Sequence, residues 1–285
     1  MEVREFKLVN EKGQEYSLMD IKNYALLTEP TGLGVEFYTE YEQLGNTFVE
    51  NFRKIQQGKI NSQLNFLKYD NYKKLIDFIA YSKKLMISYK IPFENGIKEY
   101  FKEVNLQAVG KTEKKTNGVI SEEIVLDCLS LWYEQTNVVY KIGAEDDEIR
   151  WDYKWDSKFA SNDVRNLKYI NQGHVDATIY LEIDGNILNP SIELYVEGEL
   201  YQTVEIQTSI QEYEKIIYSS KENEFEISKV NTDGTKESLF DLDIINFEND
   251  NVVRIPPNKS CEIRLRADNN ISSARLSIYA YYIAV

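Results

Sequence analysis

The residues able to carry chemistry are few and scattered. The 285-residue chain holds one histidine, His174, placed after Asn171-Gln172-Gly173. A single imidazole excludes zinc sites built on paired histidines and leaves one general base of that type. Carboxylates are so abundant that pairs such as Asp146/Asp147 and Asp241/Asp243 mark no site. Glycosidase chemistry needs two carboxyl groups at a set separation across a cleft, which spacing along the chain does not establish. Asn231-Thr232-Asp233-Gly234 lacks the further oxygen ligands and terminal Glu of a calcium loop. No glycine-rich phosphate loop follows a strand and opens a helix. Cys128 and Cys261 lie in separate alternating segments without metal-ligand spacing, and both are expected to be small buried or half-buried side chains and not a disulfide. Trp151, Tyr153 and Trp155 share one face at period two. That face could stack on sugar rings, or it could turn inward and build a core. Catalytic, cofactor-binding and metal-binding residues are therefore all expected to be absent.

The elements that would position any site are mostly strands. Tyrosine is the compositional outlier, with 21 Tyr beside 12 Phe, 3 Trp and only 5 Pro, which favours β-structure over a disordered linker protein. The formal net charge is −14, and it is uneven: Met1–Tyr133 holds 18 basic and 19 acidic residues, the remainder 15 and 28. Such a surface repels nucleic acid and anionic membranes. No run of 18 apolar residues occurs, and the charged start, Met1 to Gly13, has no apolar signal core. Synthesis in a reducing cytoplasm is expected, which makes the sequons at Asn258 and Asn270 chance occurrences.

One helix stands out. Ile60, Leu64 and Phe66 alternate as a strand; Tyr72, Leu75, Ile76 and Ile79 then recur at helical spacing; Leu85, Ile87, Tyr89 and Ile91 alternate again. Asp70 is the expected N-cap, with Lys83 and Lys84 at the negative end of the helix dipole. A helix this short must cover a sheet to bury its stripe. Leu44–Gly58 reads two ways. Phe48, Phe52 and Ile55 have helical spacing, yet Gly45 and Gly58 bracket a stretch that could be a long hairpin, either packed on its own domain or projecting as an oligomer contact through Leu44, Phe48, Phe52 and Ile55. Lys111–Asn117 reads as a polar hairpin loop or arm, and Val119–Trp132 as one long strand. The pattern breaks at Tyr133–Asn137, so a boundary is placed there, giving domains 1–134 and 135–285. Beyond it, short strands at regular spacing with turns at Asp184-Gly185-Asn186, Glu197-Gly198-Glu199 and Asn231–Gly234 predict a β-sandwich.

The order of features resembles the distal tail proteins of long-tailed, siphovirus-type bacteriophages. The likeness is carried by Pro30-Thr31-Gly32-Leu33-Gly34, the strand Lys59–Lys68, the helix from Asp70-Asn71-Tyr72 through Asp77-Phe78-Ile79, and the strands Leu85–Tyr89 and Phe101–Val109. It continues through Leu131-Trp132-Tyr133, Asn171-Gln172-Gly173, Ile183-Asp184-Gly185, Asn189-Pro190 and Asn231–Gly234. The resemblance implies a mainly β chain of two β-sandwich domains, the first with one covering α-helix, the second galectin-like or jelly-roll. It also implies a structural hub of the tail tip or baseplate: a homo-hexameric ring in the virion, meeting a tail-tube protein on one side and a tail-associated fibre or lysin-like protein, with receptor-binding proteins, on the other. No catalytic residue follows from it. The alternative read from Trp151, Tyr153 and Trp155 is a carbohydrate-binding module for host cell-wall polysaccharide.

Overall fold

The computed structural model describes residues 4–94, 96–111, 115–116, 118–140, 166–240, 252–268 and 273–285. It is mostly β, with one α-helix among the described residues. The chain divides into two compact units, Met1–Glu134 with Tyr282–Val285, and Gln135–Tyr281.

The first unit contains β1 (Glu5–Asn10), β2 (Glu15–Ser17), β3 (Leu26–Thr31), β4 (Phe37–Leu44), β5 (Thr47–Ile55), β6 (Lys59–Phe66), α1 (Tyr69–Ala80), β7 (Leu85–Phe93), β8 (Gly96–Val109), β9 (Lys115–Thr116), β10 (Val119–Cys128) and the start of β11 (Trp132–Tyr140). Strands β2-β1-β7-β8 are neighbours in that order. The long β8 pairs with β7 along its first part and with β10 along its second, and β10 continues to β6 and then β3. Leu18 ties the two ends together, donating its N–H to the Phe6 carbonyl at 2.9 Å and accepting from Leu27 at 2.7 Å, beside a Met19–Leu26 bridge. The sheet thus rolls up around Phe6, Leu8, Leu18, Leu64, Phe66, Ile87, Ile124 and Trp132, all buried. Rolling up removes the exposed edges that an open sheet would present.

Helix α1 covers this sheet with the stripe expected, Leu75 buried and Tyr72, Ile76 and Ile79 half-buried, widened by Asn71 and Phe78. Asn71 and Leu75 are its buried residues. Phe78 lies against Tyr16 with ring centroids 5.8 Å apart, and Tyr72 meets Phe66 edge-on at 5.7 Å. Two polar anchors hold Asn71 inward: Tyr16 donates its hydroxyl to the Asn71 carbonyl at 3.0 Å, and Asn71 Nδ2 donates to the Lys22 carbonyl at 3.1 Å. The N-cap is Lys68 with no side-chain cap, and Asp70 lies inside the first turn. Lys83 and Lys84 lie past the C-cap Tyr81, where their backbone N–H groups bond a Glu11 carboxylate oxygen. The long strand expected through Trp132 is interrupted at residues 129–131, where Leu129 N–H reaches the Glu103 carbonyl and Ser130 Oγ accepts from Glu103 N–H. The Tyr133–Asn137 stretch, expected to break the pattern, is strand.

The second unit contains β12 (Asn166–Ile170), β13 (Thr178–Asp184), β14 (Ile187–Leu188), β15 (Ser191–Val196), β16 (Glu199–Glu205), β17 (Ser209–Ile210), β18 (Lys215–Ser219), β19 (Glu226–Val230), β20 (Lys236–Ser238), β21 (Ser260–Arg266) and β22 (Ser273–Tyr282). One sheet runs β22-β13-β18-β19-β20, a second runs β12-β21-β15-β16, and β14 and β17 form a small pair. Ile179, Leu181, Ile183, Leu276 and Ile278 are buried on the first sheet, and Ile192, Leu194, Ile263 and Leu265 on the second. Each sheet thus alternates buried and more exposed residues, the pattern of two sheets sharing a core. Residues 252–255 are coil carrying one bridge, Ile255 to Ala177.

Candidate assembly interface

Strands β4 and β5 pair only with each other, in a register running from Phe37 opposite Ile55 to Leu44 opposite Thr47. Their β-branched and aromatic content drives extended structure. The turn is Gly45-Asn46, with Gly45 at φ 63°, and glycine at the first central position suits a two-residue hairpin loop. Thr47 Oγ1 donates to the Leu44 carbonyl at 3.0 Å and Gln43 Nε2 to the Gly45 carbonyl at 3.0 Å, closing the tip. A two-stranded hairpin is marginal on its own in water.

This hairpin is uncovered. Every residue of β5 is exposed, and so is all of β4 except the half-buried Thr39. Phe48 is 69% exposed, Tyr41 62% and Leu44 56%, and Phe37, Tyr38, Val49, Phe52 and Ile55 are also exposed. The Leu44–Gly58 stretch is therefore hairpin and not helix, which redistributes the residues expected to share one face. A bulge between Glu40 and Tyr41 shifts the pairing. Strand alternation and register then put Phe48 and Ile55 on one face with Phe37 and Tyr41, and Leu44 and Phe52 on the other with Tyr38 and Val49. Both faces are apolar, and neither belongs to the unit's own core. Tertiary exposure, not local pattern, marks Phe37, Tyr38, Tyr41 and Val49 as members of this surface; the sequence signal was apolar residues at both strand parities. Large exposed apolar patches mark interaction sites. Each such side chain gains about 1.5–3 kcal/mol when fully buried.

The hairpin's foot is held firmly. The stretch before β4 kinks at Glu29, whose φ is 52°, and passes through Gly32 at φ 78°. A Cβ on Gly32 would lie 1.8 Å from the Lys59 carbonyl oxygen. Trp132, fully buried, donates its indole N–H to the Leu33 carbonyl at 2.8 Å. On the other side Gln56 N–H bonds the Glu36 carbonyl, Gln57 Nε2 donates to the Cys128 carbonyl at 3.1 Å, and Cys128 N–H bonds the Gly58 carbonyl. Behind Trp132 lies Lys102, 5% exposed, with its ammonium 4.7 Å from the indole ring centre. Burial pulls the Lys102 ammonium below its ordinary value, the nearby Cys128 opposing, and burial pushes the Cys128 thiol up.

That shift gives a sign. Just below the ordinary lysine value of 10.5, the unfolded chain holds a proton on Lys102 that the folded chain has released, so this group makes stability rise with pH in that window. Lys102→Met, similar in volume and uncharged, is expected to abolish that rise and to keep or raise the melting temperature, since a buried charge without a carboxylate partner is costly. Chemical denaturation at pH values stepping up towards the ordinary lysine value of 10.5 measures it. An unchanged pH slope in the variant would show that Lys102 is not the group responsible.

The residues considered for chemistry are not brought together. His174 is exposed in the turn before β13. Cys128 and Cys261 are buried and free. Asn231–Gly234 is the β19–β20 turn, with Asp233 Oδ1 taken by the Thr235 N–H and hydroxyl. Asp146/Asp147, Asp241/Asp243 and the Trp151, Tyr153, Trp155 face lie outside the described residues. Among the described residues no cluster of three or more His, Cys, Asp or Glu could hold a metal ion, and no helix is long and apolar enough to cross a membrane.

Fold and surface together define a class: a β-built structural module whose distinguishing feature is an uncovered apolar hairpin. Residues 5–129 match the family model described as distal tail protein, N-terminal domain. The chain is 27% identical over 146 residues to the distal tail protein of Lactococcus phage SK1; the match covers 48% of this chain and 48% of that protein, so it spans about half of the relative's length. Solved structures share the fold. A chain of the phage P2 baseplate in its activated, calcium-containing conformation aligns at TM-score 0.68 and 18% identity, covering 100% of both chains. The Dit protein of phage SPP1, described as a hub of the adsorption apparatus, aligns at TM-score 0.56 and 8% identity, covering 96% of this chain and 98% of its own.

Proposed function

We propose that the protein is a structural hub at the distal end of a phage tail, a virion component in which six copies close into a ring. The ring joins the tail-tube protein to a tail-associated fibre or lysin-like protein and to receptor-binding proteins. The observation that carries this reading is the β4–β5 hairpin, which exposes eight large apolar side chains on a unit that matches the distal tail protein family model. A ring needs an interface in which one patch meets a different patch on the neighbour. An outstretched hairpin supplies one such patch. The first 133 residues carry a net charge of −1, so copies of this unit can pack together; the net −13 of the remainder suits the second unit, residues 135–285 as a galectin-like attachment module, to the periphery.

The purified protein is expected to form rings, read by size-exclusion chromatography with light scattering and by negative-stain microscopy. A monomer at high concentration, with no ring even beside the tail-tube protein, sinks the reading. Phe48→Ala or Phe52→Ala is expected to weaken ring formation by at least about tenfold, the equivalent of ~1.4 kcal/mol per interface. Neither should shift the melting temperature of the dissociated chain, because exposed substitutions usually stay within about 0.5 kcal/mol. Loss of thermal stability in step with loss of rings would show that these side chains serve folding instead.

A further inference from the structure

The hairpin's own chemistry indicates what receives it. Its Leu44–Phe52 face carries Tyr38, Val49, two carboxylates, Glu40 and Glu42, and one ammonium, Lys54, which lies over the Tyr38 and Phe52 rings at 5.6 and 5.9 Å, so the face nets −1. Glu36, Glu40, Glu42 and Glu50 make no ion pair among the described residues. Glu40 accepts only from the Tyr38 hydroxyl and Glu42 only from Asn51 Nδ2. The same unit carries the opposite surface. A cleft of about 380 Å³ opens beside the first turns of α1, where Lys22, Lys68, Lys73 and Lys74 face Asp70 and Asp77, a net of +2. These four lysines make no ion pair among the described residues, whereas Lys7, Lys59, Lys90 and Lys98 of the same unit each pair with a carboxylate. Exposed Leu67, Tyr69 and Tyr24 lie in the same segments and supply apolar surface.

We propose that the Glu40/Glu42 face of the hairpin of one copy docks on the Lys68/Lys73 surface beside α1 of the next copy. This deepens the ring reading and rests on it. The contact is heterologous, so it propagates from copy to copy and closes only when the turn per copy divides the circle. The carboxylates and ammonium groups steer and orient the contact, and the apolar side chains around them supply most of the affinity. The match explains why both sets of charges are left unpaired within one chain.

The test is a charge exchange at exposed positions, which leaves folding intact. Glu40→Lys with Glu42→Lys on one protein, and Lys68→Glu with Lys73→Glu on another, are each expected to abolish rings when alone. Mixed together, they are expected to restore rings, since each altered hairpin then meets an altered cleft and six copies alternate evenly. All four substitutions on one chain should restore rings as well. Melting temperatures confirm that each protein is folded. Single-surface variants that assemble like the unaltered protein, or a mixture that stays dissociated, overturn this docking while leaving the ring reading in place. An unaltered protein that forms no ring overturns both.

Discussion

Replacing Gly32 by alanine is expected to destabilise the first unit by about 3–5 kcal/mol, combining a left-handed backbone forbidden to most residues with a forced displacement of neighbouring atoms. The neighbour is not a movable side chain. It is the backbone carbonyl of Lys59, 1.8 Å from the position an alanine Cβ would take, and Lys59 opens β6, which is paired on both sides. Relief requires moving either that strand or the segment whose next carbonyl is bonded by Trp132. The first unit lies between the small domains that lose roughly 4–8 °C of melting temperature per kcal/mol and the larger ones that lose roughly 2–4 °C, so the shift should be about 10 °C or more. Gly34 is the internal control. It lies two residues on, and nothing stands within 4 Å of its virtual Cβ, so Gly34→Ala should melt with the unaltered protein. Calorimetry on both variants decides the matter; equal melting temperatures for the two would refute the close-approach argument. Because Gly32 sits at the foot of the hairpin, a milder outcome in which the unit folds but fails to assemble would still require displacement of that foot.

The second large effect is expected at Asn171. Its side chain is fully buried and satisfied: Nδ2 donates to the carbonyls of Val175 and Ile255, each at 2.9 Å, and Oδ1 accepts from Gly173 N–H at 2.8 Å. Its own carbonyl accepts from Asn258 N–H at 2.9 Å. One amide thus joins the turn between β12 and β13 to the coil of residues 252–258. Asn171→Ala strands the Val175 carbonyl and the Gly173 N–H, at about 1–3 kcal/mol each where no water enters, while the Ile255 carbonyl keeps the Ala177 N–H, so a loss of about 2–5 kcal/mol is expected. Asn171→Asp is expected to be as damaging, because it keeps an acceptor for Gly173 but turns a carboxylate toward two carbonyl oxygens. Gly173 belongs to the same device: a Cβ there would lie 2.5 Å from the Tyr281 carbonyl oxygen. Hydrogen exchange at Val253 and Ile255 should accelerate in Asn171→Ala before global unfolding does. Exchange unchanged from the parent at those amides would mean that the staple is dispensable.

These two positions bear on how much was legible in advance. Pro30–Gly34 and Asn171–Gly173 stood out in the chain as carriers of a family likeness, but nothing local explains them. Gly32 answers to a strand that begins 27 residues later, and Asn171 to a carbonyl 84 residues away. The likeness was legible because these small motifs stand in a particular order and spacing along the chain. Their mechanical reasons were not, because each reason is a contact between distant segments.

Local rules carried the strands and the helix well, and failed where two of them competed. Leu44–Gly58 satisfies helical spacing at Phe48, Phe52 and Ile55 and strand parity at other positions, and only pairing with Phe37–Leu44 resolves it. Asp70 has the chemistry of a cap, yet the helix begins at Tyr69, because the Tyr16 and Lys22 contacts of Asn71 set where the first turn docks.

The amino-acid sequence by itself determined the β character, the single covering helix, the unpaired buried cysteines and the uneven charge, since alternation, helical period and composition are properties of neighbours along the chain. The tertiary structure alone decided that the hairpin stands clear of its own core, that Trp132 anchors its foot across 99 residues, and that Lys102 is buried behind that anchor. Whether an apolar strand faces a core or open solvent depends on what the rest of the chain brings beside it. Here the closed sheet of the first unit fills its core without β4 and β5, and their aromatic side chains are left exposed.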